Sequence, residues 1–133
     1  MTLKEYFDRT SGLCVLSSAD AEGKVTTAVY SAPRVMEDGS VAFIMRERLT
    51  YRNLSENAHA ACMFIAAGGA YRGLRLFLRK MREDNDPALI AKMTRRHLTP
   101  EEDRQKGPKH LVVFHVDKVL PLIGAGETGI SSR

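Results

Sequence analysis

The stretch 24-KVTTAVYSAPRVMEDGSVAFIMR-46 decides the fold class. Residues 24–32 are rich in β-branched side chains and alternate, with Val25, Thr27 and Val29 on one face and Thr26, Ala28 and Tyr30 on the other, which is the period of a strand. Pro33 has no amide hydrogen to give a sheet ladder, so it ends that strand or places it at an edge. The Asp38-Gly39 pair in MEDGS is a hairpin turn, and VAFIMR over 41–46 returns as the next strand.

The same period recurs on both sides. Residues 12–18 (GLCVLSS) form a compact apolar strand, and 59–66 (HAACMFIA) read as another buried one. Residues 71–82 (YRGLRLFLRKMR) are the longest alternating segment: Leu74, Leu76 and Leu78 face a core while Arg75, Phe77 and Arg79 face away. LVVFHVDKVLPLIG near the C-terminus supplies one or two more strands. Helices are short: residues 2–10 with Leu3, Tyr6 and Phe7 on one face, about 51–57, and a third opened by Pro87 and running to about His97. The segment TPEEDRQKGPK reads as a polar loop. Six or so strands with no helical crossovers between them favour an antiparallel barrel, mainly β with flanking helices, over a parallel α/β sheet.

The 133 residues, 44% hydrophobic and without tryptophan, fit one compact domain over 1–124 with a flexible Gly/Ser-rich tail at 125–133. The net charge of +4 arises from 20 basic residues interspersed with 16 acidic ones. No polybasic tail appears, and by charge alone a small phosphorylated ligand suits this balance as well as nucleic acid does, although no nucleic-acid partner is expected. The N-terminus MTLKEYFDRT is charged and amphipathic, unlike a signal peptide, and no apolar run is long enough to span a bilayer. Cys14 and Cys62 lie in apolar runs with no CxxC spacing. They are expected as buried free thiols of a cytoplasmic protein without a disulfide. His59, His97, His110 and His115 share no metal-ligand spacing, so no metal site is expected. GAGETG lacks the strand-to-helix setting that gives glycine-rich phosphate loops their meaning.

The most chemically suggestive segment is 46-RERLTYRNL-54, with Arg46, Arg48 and Arg52 within seven residues. Thr50 suits an N-cap, since its hydroxyl can accept from the first-turn amides. A helix start presents unpaired N–H groups and the positive end of a dipole, and guanidinium groups just before it converge on the same place. An anion fits there. Solvated surface arginines fit the same residues, and spacing alone leaves both readings open.

The succession VTTAVYSAPRV, DGSVAFIMR, LTYRNLSENAHAACMFI and GLRLFLRKMRE resembles the pyridoxamine 5'-phosphate oxidase-like flavoproteins over about Leu3 to Gly124. Its most specific part is the order strand, hairpin, strand, a helix of the form NLxxN, then a strand ending in Phe64. The resemblance implies a six- to seven-stranded antiparallel split β-barrel of the FMN-binding type, and a homodimer with FMN at the interface. Carried onto matching positions, Arg46, Arg48, Leu49, Thr50 and Asn53 would surround the phosphate and ribityl chain. Tyr30, Ser31 and Ala32 would run beside the isoalloxazine, and Ile44 and Met45 would line the same groove. Val29 and Thr50 stand where the family often carries basic residues, so Arg46 and Arg48 would have to supply that charge. Arg75 and Arg79, with Phe77, would lie on the dimer face or on a solvated exterior. The vitamin B6 enzyme of the family has a C-terminal segment whose Arg and His grip substrate, and neither ISSR nor TRRHLT matches it. The resemblance therefore implies an FMN-dependent oxidoreductase or electron carrier acting on a small acceptor, not the oxidase itself. Its alternatives are a relative using haem or a deazaflavin, or a non-catalytic flavin-binding, stress-response module.

Overall fold

The computed structural model describes residues 1–94 and 98–133. In chain order the elements are α1 (Leu3–Arg9), β1 (Gly12–Ala19), β2 (Val25–Ser31), β3 (Arg34–Val35), β4 (Val41–Arg46), α2 (Leu49–Glu56), β5 (His59–Ala66), β6 (Gly73–Asp84), α3 (Pro87–Met93), α4 (Pro100–Gln105) and β7 (Lys109–Pro121). The strands form one antiparallel sheet in the order β2-β1-β5-β6-β7-β4-β3. β2 and β3 are separated in the chain only by Ala32 and Pro33, yet they occupy opposite edges of the sheet. A flat sheet cannot join them, so it curls until its edges meet. Pro33 is fully buried at the seam, and the Tyr30 ring at the end of β2 reaches Phe43 of β4 edge-on at 5.6 Å. The result is a mainly β, seven-stranded split barrel.

Alternation along each strand determines what fills it. Cys14 and Leu16, Phe43 and Met45, Cys62 and Phe64, Leu74, Leu76 and Leu78, and Val112 and Phe114 are buried in a single inner cluster. Each large side chain so buried contributes about 1.5–3 kcal/mol of transfer free energy. α1 covers one mouth: Thr2 caps it by accepting from the Glu5 amide, and Phe7 packs edge-to-face on Phe64 at 4.9 Å. α2 covers the wall near β1, β2 and β4, burying Thr50, Asn53 and Leu54. On the outer face of β4 and β7, Ala42, Leu111 and Val113 form a second, smaller cluster with Ile90 of α3.

Several expectations are revised by this architecture. The Asp38-Gly39 hairpin is present, with Met36 donating to Ser40 and Gly39 to Met36 at 2.8 and 3.0 Å. It closes β4 onto the two-residue β3, however, and not onto β2. The LVVFHVDKVLP run is one strand, paired on one edge with β4 and on the other with β6 through two register shifts. The polar loop contains α4, nucleated by a reciprocal capping box between Thr99 and Glu102. α3 ends at Met93, and its expected extension to His97 lies outside the described residues. Cys14 and Cys62 are joined as a disulfide, against the expectation of free thiols. The cause is register: Cys14 pairs with Phe64 and Leu16 with Cys62, so the two cysteines lie diagonally on one face with Cα atoms 6.2 Å apart. Within residues 125–133, Ser131 bridges to Thr2 and Ile130 packs against the inner cluster.

Candidate functional site

The outer face of β4 carries Ala42, Ile44 and Arg46, and a cleft of about 240 Å³ opens over it. Its walls are the end of β2 (Tyr30, Ser31) with Ala32 and Arg34, the start of α2 at Arg48, and Met93, Thr94, Leu98, Lys106 and Lys109 of the segment that folds back over the strand. One end is apolar, built on Ile44, Met93 and Leu98. The other is lined by cations.

The ten residues singled out from sequence divide into four groups here. Tyr30, Ser31, Ala32, Ile44, Arg46 and Arg48 line the cleft. Thr50 and Asn53 lie just behind it, buried: the Thr50 hydroxyl faces the Tyr30 phenol, and Asn53 Nδ2 donates to the Ser18 hydroxyl at 3.1 Å. They brace α2 against β1 and β2 and do not line the cavity. Leu49 is 54% exposed at the helix start and does not line it either. Met45 is fully buried in the inner cluster, which corrects the expectation that it shares a groove with Ile44. Successive strand residues point to opposite faces, so only one of the two can face the cleft.

The N-cap also moves. α2 begins at Leu49, and its cap is Arg48, with no side-chain capping bond. Thr50 falls in the first turn with its hydroxyl facing Tyr30. A cap without a side-chain acceptor leaves the first-turn amides to other partners. The Tyr30 phenol pKa is raised, chiefly by burial, while the Thr50 hydroxyl and the Arg48 charge pull it the other way. Arg48 therefore sits near the phenol that walls the cleft.

The cations differ in commitment. Arg34 donates through Nε and Nη2 to the Met93 carbonyl at 3.2 and 3.1 Å. Arg46 Nη2 lies 2.8 Å from Asp103 Oδ1, and Lys109 Nζ lies 3.2 Å from the same oxygen. Arg46 also donates to the backbone carbonyls of Asp103 and Gly107. Arg48 and Lys106 have no ion pair among the described residues. Two guanidinium or ammonium groups thus remain at the polar end for an incoming anion, beside an apolar wall on which a planar ring can lie. Arg34, Lys106 and Lys109 were not anticipated, since only the β4–β7 register and the return of residues 87–94 and 98–109 bring them here. Arg75 is instead tied to the carbonyls of Pro121 and Gly124, and Arg79 pairs with Asp117 at 3.4 Å.

Among the described residues no group of three or more His, Cys, Asp and Glu could hold a metal ion. No described helix is long and apolar enough to cross a membrane. No protein-family model and no curated protein sequence matches the chain. Solved structures do. An FMN-binding protein of Syntrophomonas wolfei is 19% identical and superposes with a TM-score of 0.71, covering 92% of this chain and 85% of its own. An F420 reductase is 16% identical with a TM-score of 0.69, covering 90% of this chain and 97% of its own. A protein of Lactobacillus delbrueckii described as a candidate pyridoxamine 5'-phosphate oxidase is 14% identical with a TM-score of 0.61, covering 87% of this chain and 88% of its own.

Proposed function

From a chain that has the split-barrel fold of the pyridoxamine 5'-phosphate oxidase-like proteins, we propose an FMN-binding flavoprotein that acts as an oxidoreductase or electron carrier on a small acceptor. One observation carries the reading: the cleft over β4 joins an apolar wall to a cationic end that holds Arg48 and Lys106, which have no ion pair among the described residues. A ligand with a flat, largely apolar ring system at one end and a phosphate at the other matches both halves. Ile44 and Met93 would lie along the ring. Arg48 would hold the phosphate, with the uncapped start of α2 beside it. Tyr30, backed by Thr50, would set the ring's position along the wall.

FMN, when bound, would supply hydride or electron transfer, and the side chains of this chain bind it, orient it and exclude water. No acid or base in the cleft is required for that. The cleft of about 240 Å³ is smaller than the roughly 300–1,000 Å³ of pockets that enclose a cofactor-sized ligand. A homodimer that brings a second wall over the open side completes it, and the outward sheet face bearing Val29 and Met63 supplies the contact. A deazaflavin has the same two-part character, and the F420 reductase neighbour favours it as the second reading.

The visible spectrum of the purified chain with added FMN tests the proposal. Saturable uptake with the two-band flavin spectrum is the expected result, and no uptake of FMN overturns it, with F420 uptake then selecting the second reading. Replacing Arg48 by Ala should weaken FMN binding by about 1.5–3 kcal/mol, as for loss of a hydrogen bond to a charged group. Riboflavin, which lacks the phosphate, should bind the variant and the parent alike.

A further inference from the structure

Arg46 and Lys109 are cross-strand partners in the β4–β7 ladder, so their side chains leave the sheet side by side. Both reach one atom, Asp103 Oδ1, at 2.8 and 3.2 Å. The two sides of this contact differ in how they are held. Arg46 and Lys109 have side chains 15% and 20% exposed and rise from central strands, whereas the Asp103 side chain is 44% exposed. Asp103 belongs to α4, a helix with no buried residue. The cations are thus fixtures of the barrel, and the acid comes from a surface helix whose anchorage is polar.

We propose that Arg46 and Lys109 form an anion subsite of the cleft, able to take a phosphate or carboxylate group, and that Asp103 fills it when no ligand is present. Arg48 and Lys106, on the rim of the same cleft, carry no ion pair among the described residues, so an entering anion meets them before it reaches the inner pair. Exchange of one oxyanion for another leaves Arg46 and Lys109 satisfied, while Arg46 can keep its bonds to the Asp103 and Gly107 carbonyls. The Asp103 carboxyl is held below the usual carboxylate range, first by its bond to Arg46 and then by Lys109, so a carboxylate is already the preferred occupant. The inference rests on the reading of the cleft as an anion-binding site, though not on the anion being FMN.

The test compares Asp103→Asn with Glu101→Gln, which removes the same charge from the same helix where Glu101 pairs with Arg104 in solvent. Inorganic pyrophosphate is titrated calorimetrically into the full chain at low salt. Asp103→Asn should bind it about tenfold more tightly than the parent, the equivalent of one charge-assisted bond no longer competed for, and Glu101→Gln should match the parent. In the unsubstituted chain, saturating pyrophosphate should speed amide hydrogen exchange over residues 99–107, a readout that depends on no variant. Pyrophosphate binding no tighter to Asp103→Asn than to Glu101→Gln, or exchange over 99–107 unchanged at saturation, overturns the proposal. So does absence of pyrophosphate binding to every form. If the gain is seen with pyrophosphate while FMN binds no form, the subsite stands and the flavin reading falls.

Discussion

At Tyr51 the phenol faces the Glu83 carboxylate, and its ring stacks on His110 with centroids 4.5 Å apart. His110 in turn lies 2.7 Å from Glu47 and 2.9 Å from Asn85 through its two ring nitrogens, and Lys80 stands 6.0 Å from the Tyr51 ring. The facing carboxylate, reinforced by burial and by the charges of Glu83 and Glu47, pushes the Tyr51 pKa up to about 12 from an ordinary 10.0. The folded state therefore holds the phenolic proton more tightly than the unfolded chain does. Stability from this group is fully present below about pH 10 and is lost as pH rises toward 12, since unfolding then releases the proton. Denaturant midpoints at pH 9 and pH 11.5 should show that fall, and Tyr51→Phe should show a smaller one. An equal fall in the variant would assign it to other groups. The neighbouring arginines behave differently again: Arg46 is engaged by Asp103 while Arg48, two residues on, is not. Their adjacency in RERLTYRNL signalled charge, but which of them is free depends on a helix more than fifty residues away.

Within single elements, the part of the site set by local alternation was legible and the part set by folding back was not. β4 shows both. VAFIMR declares a strand, and its period alone separates Ile44 from Met45, although the resemblance grouped them. Met45→Ala should cost about 2–5 kcal/mol of stability, as for a buried residue leaving a cavity, with ligand affinity per folded molecule unchanged. Ile44→Ala should do the reverse, weakening ligand binding with a smaller effect on the denaturation midpoint. Equal losses of affinity in both variants would contradict the assignment of faces. α4 was readable in principle, because Thr99 and Glu102 stand in the S/T-x-x-E pattern of a capping box and Pro100 suits the first helical position. The polar composition of TPEEDRQKGPK hid it, since the helix buries nothing and so has no apolar period. The cap of α2 failed for a different reason: Thr50 has the right chemistry, but it lies buried against Tyr30 in the first turn, past the cap position. Two-residue β3 left no periodic trace at all.

Across the whole molecule, the curled sheet has a filled interior, one outer face covered by α3, and another covered by no described element. On the latter, Val29 of β2, Val15 of β1 and Met63 of β5 lie in one cross-strand row, with Leu13 and Phe77 beside them. Val29 is 73% exposed, Leu13 44%, Phe77 43% and Met63 39%. The sequence placed Phe77 on an outward face by period and left open which face of its strand Val29 shares, and only the register shows that they form one patch with Leu13 and Met63. A contiguous apolar patch of this kind is the ordinary mark of an interface, and β2 is in addition an edge strand whose outer side a second copy would shield. The proposed homodimer uses this face, and the charged flanks Arg75 and Arg79 are held back from it by their bonds to Pro121, Gly124 and Asp117. Replacing Val29 and Met63 together by Lys would put two unpaired charges at the centre of such a contact. Neither side chain contributes to the inner cluster, so the thermal midpoint of the isolated chain should change little, as for surface substitutions. Light scattering after size exclusion should then give twice the chain mass for the parent and the chain mass for the double variant, and FMN affinity should fall with the loss of the second wall. A monomeric parent at micromolar concentration, still able to bind FMN, would show that one copy suffices to build the cleft.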